Sequence, residues 1–236
     1  MIAKTRAIIL KNTNYSDNSI ISKMYTRQFG LRTYIFQSIR KGKSAVRPSM
    51  IQPLSLVQMD VYEKANSNIQ RVKELKNEPM LLSIQDSIAK KSVAMFMIEM
   101  LNLCITEEQC DEHLFDFLEE YILKLESNSV GSVFPTLFLL ELTKFLGVEP
   151  QGKFSATQPY FSLEQGVFTY IEETDSLTIQ LSELLSLLME RKTVDYNKVA
   201  RTTKASLLNA MVRYYQYHLI KGKKVKSIGI LSELLA

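Results

Sequence analysis

The chain has 236 residues, 46% apolar and 23% charged, a balance that points to a folded globular protein rather than a disordered or fibrous one. No apolar run approaches the roughly 18 residues of a membrane span, and no small-residue cleavage site follows the short apolar run near Met1, so a cytoplasmic protein with no membrane contact is expected. The formal net charge of +4 is unevenly spread: residues 1–47 hold ten Lys/Arg against one acid (net +9), residues 48–189 nine against 21 (net −12), and residues 190–236 ten against three (net +7).

Residues 1–78 read as β structure. A short strand at 7–10 (AIIL) is followed by the turn-formers Asn12–Asn18, then a second strand at 19–26 and a tight turn at Gln28-Phe29-Gly30. The third strand carries Leu31, Arg32, Tyr34, Ile35 and Phe36 and leads into a basic loop with Arg40, Lys41, Lys43 and Arg47. Residues 54–61 alternate as a half-buried strand does, and residues 69–75 form a fifth candidate. Five short strands over about 75 residues fit a small closed barrel, most commonly an OB-fold. Arg32 and the four loop cations are candidates for holding phosphate, with affinity largely independent of sequence. Tyr34 and Phe36 are candidates for base stacking; alternation puts both rings on one face, so they stack together or pack into the core together.

Asn77-Glu78-Pro79 marks the end of the β pattern, giving an expected division into a nucleic-acid-binding domain at 1–78 and a helical domain at 79–236. Residues 87–105 are apolar almost all round, as in a central buried helix. Leu114, Phe115, Phe117, Leu118, Tyr121, Ile122 and Leu125 recur on one helical face. Another helix spans 132–146, with Pro135 in its first turn and Gly147 at its end. The helical period breaks at 151–175, which reads as an inserted β-hairpin, and resumes at 177–190, 195–201 and 203–220, the last capped by Thr202 or Thr203. Tyr214, Tyr215 and Tyr217 then precede the cluster Lys221, Lys223, Lys224 and Lys226, a second set of DNA-binding candidates beside which one tyrosine is suited to stacking. Basic ends around an acidic middle point to one anionic partner shared by both ends; two unrelated solvated surfaces are the plainer alternative.

Catalytic and metal chemistry find little support. The chain lacks a phosphate-binding glycine loop, an HExxH and a GxSxG, and the acidic pairs Glu107/Glu108 and Asp111/Glu112 read as a solvated interhelical link. Cys110 and His113 would supply half a zinc site, but Cys104 sits in an apolar helix and the one other histidine is His218, so no metal or other cofactor is expected.

Several short motifs, in their order along the chain, carry a family resemblance. These are residues 4–11 (KTRAIILK), Tyr15-Ser16-Asp17, Tyr25-Thr26-Arg27 with Gly30, Arg40-Lys41-Gly42-Lys43-Ser44, Ile51-Gln52-Pro53, residues 146–150 (LGVEP) and residues 213–218 (RYYQYH). Together they resemble the RecO family of bacterial recombinational-repair mediators. The resemblance implies an α+β protein: an N-terminal OB-fold β-barrel followed by an α-helical domain with a β-hairpin insertion. It also implies binding to single- and double-stranded DNA, annealing of complementary strands, and partnership with RecR, single-stranded-DNA-binding protein and the RecA pathway, in the cytoplasm and at the nucleoid. Two features depart from the family pattern. Cys-x-x-Cys pairs flank the hairpin in many relatives, whereas residues 147–168 contain no cysteine, so the hairpin is expected without zinc; and Gln37-Ser38 stands where the family favours lysine and glycine. The leading expectation is a non-catalytic DNA-binding mediator. The alternatives are an RNA-binding OB protein, or an adaptor whose helical groove, rimmed by Lys90 or Lys91, takes an acidic tail.

Overall fold

The computed structural model describes residues 2–37, 39, 46–64, 67–106, 110–127, 131–192, 195–196 and 198–235. They form two compact units, residues 1–129 and 130–236, so the first helices of the helical region group with the barrel.

The first unit begins with five strands: β1 (Ile2–Ser16), β2 (Ser19–Thr26), β3 (Gly30–Phe36), β4 (Leu56–Tyr62) and β5 (Gln70–Asn77). They close into a barrel in the order β1-β2-β3-β5-β4, with β4 returning to β1. This is the five-stranded OB arrangement expected from the strand count. All pairings are antiparallel except β3 with β5.

The first strand is far longer than the four residues expected, and most of the Asn12–Asn18 turn cluster is strand. One strand serves two neighbours: residues 2–8 pair with β4 and residues 7–16 with β2, and register shifts after Ile9 and Asn14 bend it from one to the other. Four consecutive residues of β1 are buried because both of its faces are covered there. Ala7 and Ile9 face the barrel core, while Ile8 and Leu10 are equally buried outside it. There the helix α2 (Ile88–Cys104) packs on β1, with the Asn102 amide donating to the Leu10 carbonyl at 3.0 Å. At the other end of the sequence pattern, β4 starts at Leu56 rather than 54. Leu54 has φ 70°, and its N–H donates to the Ile9 carbonyl at 2.8 Å, which ends the turn before the strand can begin.

Within β4 the alternation holds. Val57, Met59 and Val61 face the core, and Gln58, Asp60 and Tyr62 face away. The core is completed by Ile20, Met24, Tyr34, Phe36, Ile39, Val46 and Ile51, each aliphatic or aromatic side chain contributing about 1.5–3 kcal/mol on full burial.

Three helices complete this unit: α1 (Leu82–Asp86), α2 and α3 (Glu112–Ser127). All seven apolar residues of the predicted stripe on α3 are buried. The α2 expectation needs correction. Val93, Phe96, Met97, Met100 and Leu101 are buried, but Ile88 and Met95 are exposed, because α2 meets β1 and α1 along part of its surface only. Lys90 is also buried, its ammonium donating to Ser83 Oγ (2.7 Å) and to the Glu126 carbonyl (2.6 Å), while the Glu126 carboxylate accepts the Ser83 and Ile84 N–H groups at the start of α1.

The second unit holds α4 (Phe134–Phe145), a two-stranded hairpin of β6 (Tyr160–Ser162) and β7 (Val167–Thr169), α5 (Ile179–Met189), α6 (Arg201–His218) and α7 (Ser227–Leu235). The inserted hairpin is present as read from the broken helical period. Among the described residues of 195–200 no helix forms: they make turns, with Lys198 N–H donating to Asp195 and Val199 N–H to Tyr196. Consequently α6 starts at Arg201 with Ala200 as its N-cap and no side-chain cap, so neither Thr202 nor Thr203 plays that part. The helix α7 was not anticipated.

Residues 147–168 contain no cysteine, and among the described residues no three His, Cys, Asp or Glu side chains are grouped as metal ligands. Packing and hydrogen bonds hold the hairpin. Phe161 and Phe168 meet edge to face at 5.1 Å and Tyr214 lies 6.0 Å from Phe161. The Phe161 N–H donates to Ser182 Oγ (2.9 Å), the Glu164 N–H to the buried Asp175 carboxylate (2.5 Å), and His218 Nε2 lies 2.8 Å from the Leu163 carbonyl. Gly166, φ 73°, turns the hairpin where a Cβ would stand 3.0 Å from the Tyr214 hydroxyl. Truncating Phe161 to alanine should therefore cost about 3–5 kcal/mol of stability, measured by urea unfolding. A strong chelator should leave the unfolding midpoint of the wild-type chain unchanged.

Candidate nucleic-acid interface

The connection from β4 to β5 lies where β3 pairs with β5 through Tyr34–Gln70 and Ile35–Arg71. Two buried polar side chains anchor it. Gln70 accepts the Lys64 N–H at 3.0 Å and donates to the Lys64 and Ser67 carbonyls, both at 2.8 Å. Beside it the Tyr34 hydroxyl donates to Glu63 Oε1 at 2.8 Å. Burial, with the Glu63 carboxylate as a further cause, holds the Tyr34 phenol far above its ordinary pKa, so it stays a neutral donor. These bonds hold Glu63, Lys64 and Ser67 of the connection in place.

A polar cleft of about 320 Å³ opens on one side of this loop. Lys23 from β2, Arg32 and Thr33 from β3, and Lys64, Ser67 and Asn68 from the loop line it. Three cations face one carboxylate, Glu63, which Tyr34 engages. On the other side a second cleft, of about 520 Å³, is lined by Tyr62, Lys64, Ser67, Ile69, Gln70 and Arg71. A third, over β1, β4 and β5, mixes Lys4, Arg6 and Lys76 with Asp60 and Glu74, so its charges offset one another.

Of the residues singled out in the sequence, Arg32 lines the first cleft. Arg47 is exposed beside the short 3-10 turn Pro48–Ile51. Arg40, Lys41 and Lys43 lie outside the described residues. The stacking assignment of Tyr34 and Phe36 is corrected: both rings are in the barrel core, 0% and 4% exposed, and a ring enclosed on both faces offers none to a base. In the second unit Lys221, Lys223, Lys224 and Lys226 are exposed beyond the end of α6. Tyr214 and Tyr215 are buried, donating to the Val148 and Leu139 carbonyls at 2.8 Å, while Tyr217 is exposed. Lys23, Lys64 and Arg71 escaped the sequence reading because each is an isolated cation that only the pairing of β2, β3, β4 and β5 brings together.

Two cations counted in the basic N-terminal segment are already occupied. Arg27 pairs with Glu112 (2.5 Å) and Asp116 (2.9 Å) of α3, and Arg6 pairs with Glu119 (2.6 Å) and Asp116 (3.3 Å) while lying 5.3 Å from the Phe115 ring centre. Lys90, a proposed rim of an acidic-tail groove, is buried; Lys91 does line an apolar groove of about 270 Å³ with Pro53, Leu54, Met95 and Ile98.

The strand order and the position of the cleft define an OB-barrel protein, a class that binds oligonucleotides or oligosaccharides on the strand 2–3 face and the adjoining loops. The family description "Recombination protein O N terminal" matches residues 1–78, and "Recombination protein O C terminal" matches residues 85–227. The chain is 31% identical to the DNA repair protein RecO of Flavobacterium johnsoniae, with all of each chain covered. It is also 31% identical to that of Bacteroides fragilis and 30% identical to that of Porphyromonas gingivalis, with 99% of each chain covered. The chain belongs to the RecO family. That membership makes it a DNA-repair and recombination mediator rather than an enzyme. Among the described residues no helix is long and apolar enough to cross a membrane.

The pairing of Arg27 holds the Asp116 carboxyl below the usual carboxylate range, with Arg6 adding to the effect. A depressed folded-state pKa contributes stability above the unfolded value and loses it as pH falls through the folded one. Asp116→Asn should therefore lower the urea midpoint slightly near neutral pH and converge with wild type in acid. A difference that grew on acidification would contradict this assignment.

Proposed function

We propose that the barrel binds single- and double-stranded DNA through the cation-lined cleft, and that this binding serves annealing of complementary strands. In the cell the chain would act with RecR on DNA coated by single-stranded-DNA-binding protein to help load RecA, at the nucleoid in the cytoplasm. The observation that carries the DNA-binding part is the convergence of Lys23, Arg32 and Lys64 on one cleft beside a loop fixed by Gln70. Spaced cations on a rigid frame suit a phosphate backbone, whose binding releases counterions and needs no particular base. The apolar groove beside Lys91 suits an acidic tail that ends in apolar residues.

Lys23→Ala, Arg32→Ala and Lys64→Ala should each weaken binding to all sequences alike and flatten the salt dependence by about 0.7 per lost contact on single strands. Arg27→Ala should leave the salt slope unchanged, since its guanidinium is held by two carboxylates. Binding by fluorescence anisotropy across a salt series checks both. Function is tested by annealing complementary strands coated with single-stranded-DNA-binding protein, with and without the chain. Annealing unaffected by the chain would refute the reading.

The lysines at the end of α6 are proposed to contribute to the same binding. Two linked basic patches gain through effective concentration, so loss of one should cost more on long DNA than on short. A variant with Lys221, Lys223, Lys224 and Lys226 all changed to alanine should lose about tenfold or more on a long oligonucleotide, and much less on a short one. Equal affinity to wild type at both lengths would make these lysines a solvated surface.

A further inference from the structure

With Tyr34 and Phe36 enclosed, the barrel needs another group if it is to distinguish unpaired bases from a duplex. We propose that Tyr62 is that group, a stacking platform for one unpaired base in the second cleft. This inference rests on the DNA-binding reading above and adds to it a base-contacting residue.

Tyr62 ends β4 on the outward face and is 40% exposed. Its cross-strand neighbours are Ile2 on β1 and Arg71 on β5. Ile2 and Ile69 are exposed as well, so apolar side chains stand beside the ring. Arg71 and Lys64 flank it in the cleft. An open aromatic face, apolar neighbours for the base edges and two cations for the adjacent phosphates are the combination that single-stranded nucleic acid binding requires. The Asp60 and Glu74 pair lies one step down the same face, on the side away from the loop, and disfavours a strand running that way. The favoured path crosses the loop instead. Lys64, Ser67 and Gln70 line both clefts, so a base on Tyr62 would have its neighbouring phosphates within the row of Lys64, Arg32 and Lys23. Tyr15, another exposed ring of the barrel, lines neither of these clefts.

The chain contains no tryptophan, so Tyr62→Trp introduces a single reporter at the platform. The full-length variant is titrated with three labelled probes: oligothymidylate, an abasic oligonucleotide of the same length and charge, and a duplex. Tryptophan emission and anisotropy of the DNA label are read in the same cuvette. Emission should be quenched by oligothymidylate, and neither by the abasic strand nor by the duplex, although anisotropy reports binding of all three. In parallel, Tyr62→Ala should lose roughly 5- to 150-fold on oligothymidylate, with duplex and abasic affinity and the salt slope unchanged; Tyr62→Phe should behave as wild type. Binding by anisotropy without quenching would overturn the stacking site and leave the DNA-binding reading standing. Equal losses by Tyr62→Ala on all three probes would also overturn it, since the effect would then be structural. Absence of any anisotropy change would overturn both readings. The tryptophan signal decides the matter even where the alanine variant fails to fold.

Discussion

Closure of the barrel between β3 and β5 is the constraint on which the candidate site depends. The pairing is short and parallel, joining Tyr34 to Gln70 and Ile35 to Arg71, while the other seams are antiparallel and longer. A short seam is reinforced by side chains. Tyr34 reaches out of the core to Glu63, and Gln70 ties the loop backbone at three points. Buried polar groups of this kind are costly unless satisfied, and here each has its partner. The same bonds that close the barrel set the loop between two clefts. Stability and site geometry therefore share one set of residues, and a loose seam would blur both.

Charge is distributed by a similar economy. The acidic middle of the sequence does more than repel a polyanion. Glu112, Asp116 and Glu119 lie along α3 at helical spacing and engage Arg6 and Arg27 of the barrel. Those two cations hold α3 to the strands, whereas Lys23, Arg32 and Lys64 line a cleft. The net charge of a segment counts both kinds equally. What matters for a phosphate is where each cation stands on the folded surface, and that exists only in three dimensions.

The hairpin of the second unit shows which contacts hold a small β element in place. Two strands of three residues each bury too little by themselves to be stable. The deficit is met by Phe161 and Phe168 packed with Tyr214, and by backbone bonds to Ser182, Asp175 and His218 supplied from the helices and turns around it. The tyrosine-rich end of α6, where one ring beside four lysines is suited to stacking, is largely core: Tyr214 and Tyr215 hold the hairpin and α4, and Tyr217 alone of the three is exposed.

By itself the sequence determined the elements whose pattern is local. The alternation of β4, the apolar stripe of α3, the break in helical period at the hairpin and the order of five strands before the helices were all legible, because burial on one face imposes a period of two or of 3.6. It also singled out Arg32, which lines the first cleft, and required Tyr34 and Phe36 to share a face. Which face that was could not be read from alternation, since a strand pattern is unchanged by turning it over; barrel closure turned both rings inward. The length of β1 escaped for a related reason, because its ends are strand only through two different partners. Lys23, Lys64, Tyr62 and Arg71 are separated in sequence and unremarkable singly. Closure of the sheet puts Lys23 with Lys64 on one cleft and Tyr62 with Lys64 and Arg71 on the other, and closure is a property that no single segment contains.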